Sequence, residues 1–215
     1  MAPTLLSRAS IPSLPADIDA SYPIARIIAL IAVIIVILDL PPLFWHARNR
    51  NIGAGCLIAW LIALNFSLFT NTLIWPNDNM TVWWSGVGLC DIQIRIQAGS
   101  FMAIPGCLIA ILRQLAAILD TESIRTTSVG DRCKREWAID LVLCWGLPLW
   151  NMLALYIVQD IRYYIIGIAG CAISVDNSWP SLLLIAIEPL LLSLVDAYYA
   201  GKLPFFPLFP ELTWF

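Results

Sequence analysis

The sequence predicts an all-α membrane protein, a transmembrane bundle of about five helices, and three observations carry that reading. Of its 215 residues, 60% are hydrophobic and 13% charged, and the mean hydropathy is +0.81. A soluble domain is nearer half apolar with about a quarter of its residues charged, and a soluble fold of this size would have to wet the excess. Second, the apolar residues form long runs, each near the ~20 residues that cross ~30 Å of hydrocarbon. Third, the runs are solid rather than alternating, which excludes a transmembrane barrel. An open strand is excluded as well, because its backbone groups would go unpaired in lipid.

The elements follow in order. Residues 1–21 carry Ser, Pro, Ala and Asp with no sustained apolar run, so they form a tail rather than a cleavable signal peptide. The first helix is expected over 22–44; its centre, 27–38, is uncharged, and Asp39 with Pro41-Pro42 lies at its far end. The second, 52–75, has no charged residue. The third, 91–119, is uncharged over 96–112, and the fourth, 137–158, is uncharged from Leu141 onward. The fifth, 179–199, holds Glu188 and Asp196. Residues 163–175 are uncharged but too short to span, and with Gly167 and Gly170 they read as a hairpin-like loop over the bundle mouth. The 200–215 tail is apolar but broken by three prolines, so it makes no further span.

Lysine and arginine bias in short loops sets the orientation. His46, Arg48 and Arg50 follow the first helix; Arg125, Arg132, Lys134 and Arg135 follow the third, with Arg113 at its end. The stretch 76–90 has no Lys or Arg, and Arg162 stands alone after the fourth helix. The basic loops therefore face the cytoplasm, and the N-terminal tail is extracellular. Trp75, Trp83, Trp84, Tyr163, Tyr164 and Trp179 would ring the outer interface. Asn79-Met80-Thr81 is a glycosylation sequon in the outer loop, close to the membrane; Asn65-Phe66-Ser67 lies inside the second helix and is silent.

Cys56, Cys107 and Cys144 fall within helices, and Cys133 falls in a cytoplasmic loop where thiols stay reduced. Cys90 and Cys171 fall on the outer face, either as two free thiols or as the disulfide favoured here. Such a bridge would pin the outer loop to the top of the third helix and preorganise a binding mouth. No paired CxxC spacing and a single histidine leave no metal site, and no cofactor is expected. Charges within a membrane usually have a function or a partner. Arg95, about one turn into the third helix, lines a central cavity or snorkels outward. Glu188, mid-way along the fifth and followed by Pro189, faces a cavity or a partner. Asp140 meets water or the nearby basic cluster, and Asn65, Asn71 and Asn151 bond between helices.

Gly53-Ala54-Gly55 is no nucleotide fingerprint, no Walker sequence occurs, and His46 stands beside arginines. The chain is therefore not expected to be an enzyme. The basic residues form no stripe with interleaved aromatics, so no nucleic acid is expected as partner. No internal repeat of the transporter kind is evident.

Four blocks carry a family resemblance. They are Pro42-Leu43-Phe44-Trp45-His46-Ala47-Arg48-Asn49-Arg50-Asn51; Leu73-Ile74-Trp75-Pro76-Asn77-Asp78-Asn79 with Gly88-Leu89-Cys90-Asp91-Ile92; Ala138-Ile139-Asp140-Leu141; and Arg162-Tyr163-Tyr164 with Gly170-Cys171 and Asp176-Asn177-Ser178-Trp179-Pro180-Ser181. Together they resemble the fungal mating-type pheromone receptors that detect lipidated peptides. The resemblance implies a seven-helix G-protein-coupled receptor of the plasma membrane, with a short farnesylated peptide as ligand and a heterotrimeric G protein as partner. On that reading Trp75, Trp83, Trp84, Tyr163 and Tyr164 cover the ligand, with Arg95 and Glu188 below them. Arg48, Arg50, Arg113, Arg132, Lys134 and Arg135 face the G protein, and Asn79 carries the glycan. The chain departs from the family in two ways. About five helices are present, with the resemblance ending near Tyr199, which reads as a truncated receptor impaired in signalling. Glu188-Pro189 also stands where the family would carry an apolar or aromatic residue before proline. The competing readings are a membrane assembly partner of a full-length receptor, with receptor oligomers and lipid as contacts, and a small transporter or channel subunit built around Glu188 and Arg95.

Overall fold

The computed structural model describes residues 22–77, 79, 80, 83–119, 129–176 and 178–202. The elements are α1 (Pro23–Arg48), α2 (Ile52–Ile74), α3 (Leu89–Leu119), α4 (Val129–Leu141), a π-helical segment (Val142–Gly146), α5 (Leu147–Val158), strands β1 (Tyr164–Ile166) and β2 (Gly170–Ala172), the short α6 (Trp179–Ser181), a second π-helical segment (Leu182–Ile187) and α7 (Glu188–Lys202). Among the described residues, five continuous helical stretches are long and apolar enough to cross a membrane: Pro23–Arg48, Ile52–Ile74, Leu89–Ala117, Lys134–Val158 and Trp179–Gly201. The chain is a multi-pass membrane protein. The 1–21 tail and residues 203–215 lie outside the described residues.

The third span is the axis of the bundle. It packs against α2, α5 and α7, and 39% of its apolar window is buried, against 11% in the first span and 6% in the fifth. The first and fifth spans instead turn Ile27, Leu30, Ile34, Leu190, Leu191 and Leu194 outward, which in water would be a liability and in lipid is the solvated face.

Local chemistry explains most boundaries. Pro23 opens α1, where its missing N–H costs nothing. Asn51 caps α2, its side chain accepting from Ala54 N at 3.2 Å. Two ends differ from the sequence expectation by four residues or more. The first helix runs on through Pro41-Pro42 to Arg48 instead of ending at 44, because the flanking apolar backbone has no partner for its polar groups except the helix itself. The fourth helix begins at Val129 rather than 137. Hydropathy finds where lipid begins, whereas a charged stretch such as 131–136 is a competent helix former in water.

Each π segment lies just upstream of a proline, Pro148 or Pro189. Proline has no N–H for the carbonyl four residues back and its ring crowds that carbonyl, so the turn widens. For Pro148 the deprived carbonyl is that of Cys144, and Trp60 Nε1 donates to it at 3.3 Å from α2. The same indole sits in the central cluster with Ala103, Cys107, Ala110 and Cys144. A bulge in the fourth span is thus stitched to the second span.

Gly106 lets α3 and the first π segment meet backbone to backbone, since a Cβ there would fall on the Leu143 carbonyl oxygen. Neither partner can yield by a rotamer change. Gly106→Val is expected to destabilise the bundle by roughly 1–3 kcal/mol, read as a lower thermal midpoint in detergent. An unchanged midpoint would mean that the two backbones lie farther apart.

Candidate functional site at the hairpin end

The antiparallel hairpin pairs Tyr164 with Ala172, Ile165 with Cys171 and Ile166 with Gly170. It lies across one end of the bundle and is held there in several ways. A disulfide joins Cys90, in the first turn of α3, to Cys171 on β2. Gln97 Nε2 donates to the Cys171 carbonyl at 2.8 Å. Asn71 Nδ2 donates to the Ala169 carbonyl at 2.9 Å, and Ile168 N donates to the Trp75 carbonyl at 2.8 Å. Gly170 has φ +77° and lies against the Asn71 side chain, so neither the backbone conformation nor the space admits a side chain.

Below the strands sits an apolar cluster of Trp75, Cys90, Ile94, Tyr163 and Cys171. Trp75 is fully buried; its Nε1 donates to the Trp84 carbonyl at 3.2 Å, and its ring stacks on that of Trp84 with centroids 6.4 Å apart. The Tyr163 hydroxyl donates to Ser85 O at 2.9 Å, and burial pushes the Tyr163 phenol above its usual pKa. Trp83 Nε1 donates to Asn77 Oδ1 at 3.4 Å. Trp84 is exposed and Tyr164 half-buried. The sequence grouped these five aromatics as one cover. The structure divides them: Trp75 and Tyr163 are the support under the hairpin, while Trp84 and Tyr164 offer surface. Residue type marks an interface depth but not a facing direction, so this division was not legible.

Arg95 and Glu188 do not meet below the aromatics. Arg95 turns toward the fourth span, where its Nη1 donates to Met152 O at 2.8 Å and its guanidinium lies 5.5 Å from the Tyr156 ring centroid. Glu188 accepts from Trp150 Nε1 at 3.3 Å, between α5 and α7. Among the described residues no ion pair joins them. The polar side chains bonded to the hairpin are Asn71 and Gln97, and helical spacing puts Gln93 on the same face of α3 as Gln97. Gln93 is buried with Oε1 unpaired, and Asn71 Oδ1 is also buried and unpaired. Sequence reasoning passed over Gln93 and Gln97, although spacing of four residues on one helix, with Cys90 a turn earlier, puts them on the disulfide face. The result is a capped end with an aromatic body, an apolar rim and free amide acceptors beneath.

Arg162 forms a two-pronged pair with Asp91 across the mouth, Nε to Oδ1 at 2.7 Å. That carboxylate holds the Arg162 guanidinium above its ordinary pKa. Asn79 is half-exposed, but Thr81 of its sequon lies outside the described residues.

At the opposite end, Arg48, Arg50, Lys134 and Arg135 are exposed. The side chains of Arg132 and Cys133 lie outside the described residues. Arg113 differs from these arginines. Its Nη2 reaches Asp140 Oδ1 at 2.6 Å and Glu136 Oε2 at 3.0 Å, and Gln114 Nε2 donates to the other Asp140 oxygen at 2.6 Å. Arg113 is therefore committed to the fourth span, and Asp140 meets this arginine rather than water.

Known proteins place this arrangement. A profile described as pheromone A receptor matches residues 27–205. The pheromone a factor receptor of Saccharomyces cerevisiae is 32% identical over 171 residues, covering 79% of this chain and 36% of the relative. Pheromone receptor 1 of Mycosarcoma maydis is 32% identical over 170 residues, covering 79% of this chain and 46% of the relative. The pheromone M-factor receptor of Schizosaccharomyces pombe is 30% identical over 169 residues, covering 78% and 45%. In each case the matched stretch spans less than half of the relative. No solved structure matches the chain. The bundle, its hairpin end and the extent of the profile match agree, and the chain belongs to the pheromone A receptor family.

Proposed function

We propose that this chain carries the pheromone-sensing portion of a G-protein-coupled receptor for a short peptide with a C-terminal farnesyl-cysteine. The N-terminus is extracellular, the membrane is the plasma membrane, and the basic end faces a heterotrimeric G protein. The observation that carries the reading is the disulfide-pinned hairpin across the Arg/Lys-poor end of a family-matched bundle. A lipidated peptide needs both an apolar surface for its chain and polar groups for its backbone. Trp84 and Tyr164 supply exposed aromatic surface at the mouth, with Trp83 beside them. Trp75 and Tyr163 hold that surface rigid, and Asn77, half-buried beside Trp83, offers an amide at the mouth. Arg48, Arg50, Arg132, Lys134 and Arg135 form the G-protein-facing set, and Asn79 is the glycosylation site. The names of the relatives, which are receptors for a factor, M-factor and other pheromones, support the ligand class.

The test is photolabelling of membranes bearing the chain with farnesylated peptides that carry a photoreactive group in the lipid. The expected result is saturable labelling of 71–101 and 163–172, competed by unlabelled farnesylated peptide and not by the same peptide with a free thiol. Labelling that the free-thiol peptide competes equally well would overturn the lipopeptide reading.

A further inference from the structure

A cavity lies beside the hairpin end, between the start of α3 and the end of α5. It measures about 610 Å³ and is lined by Asp91, Arg95, Tyr156, Gln159, Asp160 and Arg162. On α3, Gln97 turns to the hairpin, whereas Arg95 turns to the fourth span. Tyr156 is 76% exposed and its neighbour Ile157 75%, so the outer wall of the cavity looks off the bundle. Asp91 and Arg95 lie in the first turns of one span and Tyr156 in the last turn of another. That is the depth at which hydrocarbon gives way to headgroups.

The charges of the cavity cancel, two guanidinium groups against two carboxylates. Asp91 and Arg162 neutralise each other. Arg95 and Asp160 are left, and among the described residues neither joins an ion pair. Arg95 spends one N–H on the Met152 carbonyl and, among the described residues, presents a cation at the edge of the membrane that no ion pair holds. Such a charge calls for a counter-ion. Tyr156 gives one ring face to Arg95, and its exposure leaves the other face uncovered.

We infer that this cavity is a lateral site for a zwitterionic phospholipid headgroup, with Arg95 holding the phosphodiester and the Tyr156 ring and Asp160 carboxylate holding the quaternary ammonium. An aromatic face attracts quaternary ammonium, and a nearby carboxylate adds to that attraction. Net neutrality argues against an anionic lipid or free phosphate, which Asp160 would repel. Exposed Leu153 and Ile157 on α5 give the acyl chain an apolar path toward the bilayer centre. The site shares the Asp91–Arg162 pair with the mouth, but its headgroup contacts, Arg95, Tyr156 and Asp160, are not among the proposed peptide contacts.

The experiment is native mass spectrometry of the purified, delipidated chain titrated with dioleoyl phosphatidylcholine, phosphatidylethanolamine and phosphatidylglycerol. The expected order has phosphatidylcholine retained best. Arg95→Gln is expected to weaken its retention about fivefold, as for one basic residue at a lipid surface. Tyr156→Leu is expected to erase the preference for choline over ethanolamine. Because Arg95 also braces the Met152 carbonyl, Asp160→Asn serves as the variant outside the spans; it should lower phosphatidylcholine retention and raise that of phosphatidylglycerol. An unchanged ratio of the two lipids in Asp160→Asn would overturn the proposal. So would displacement of bound lipid by inorganic phosphate or soluble phosphocholine, since the site would then read a free anion or headgroup rather than a membrane lipid.

Discussion

Cys171→Ser is expected to lower the stability of the chain by about 2–4 kcal/mol and to abolish saturable labelling by the farnesylated peptide. The bridge closes a loop of 81 residues, for which chain entropy alone would give more than this. However, α3, the fourth span and their membrane-embedded turns retain helix when the tertiary fold is lost, so the loop closed in the unfolded state has fewer free segments. A second contribution comes from position. Cys90 and Cys171 lie in the buried cluster with Trp75 and Tyr163, and the Gln97 and Asn71 donors are aimed at carbonyls whose place the bridge fixes. A reductant should move the thermal midpoint of the unaltered chain toward that of Cys171→Ser, leaving the variant itself unmoved. If reductant shifts both equally, or neither, the hairpin is held by its hydrogen bonds and the bridge contributes little.

How much of this was readable in the sequence depends on the kind of force involved. The five spans were legible because lipid demands long uncharged runs and their ends are marked by Asp, Pro and basic clusters. The hairpin was legible as a short run with glycines, and Gly170 is needed there for its positive φ. What was not legible depends on pairs distant in sequence. Pro148 announces a deprived carbonyl, but only packing reveals that Trp60, 84 residues away, supplies the donor. Arg95 and Glu188 share a span-level depth, yet each faces its own part of the fourth span. Hydropathy gives depth without azimuth. The azimuth of Gln93 and Gln97 was available from helical spacing relative to Cys90, and it identifies the face that the aromatic residues did not.

At the basic end the same distinction decides which charges matter. Asp140→Ala is expected to cost about 3–5 kcal/mol, whereas Glu136→Ala is expected to cost ~0–1 kcal/mol. Both carboxylates contact Arg113. The Asp140 side chain is only 4% exposed and the Glu136 side chain 38%, so water already screens the second. Removing Asp140 leaves a guanidinium that is 17% exposed with only the water-screened Glu136 as its ion-pair partner and also deprives Gln114 of its acceptor. The cost is therefore mainly that of a half-buried charge left under-compensated rather than of a lost attraction. It follows that Arg113→Met combined with Asp140→Leu should be much less damaging than the sum of the single changes, since no charge is then left without a partner. Thermal midpoints in detergent of the unaltered chain, Arg113→Met, Asp140→Leu and the double variant measure this directly. Additive costs would mean that water reaches the pair and that Arg113 belongs with the exposed basic set after all; strong coupling would make the Arg113–Asp140 pair the tie that sets the spacing of the third and fourth spans at the basic end of the bundle.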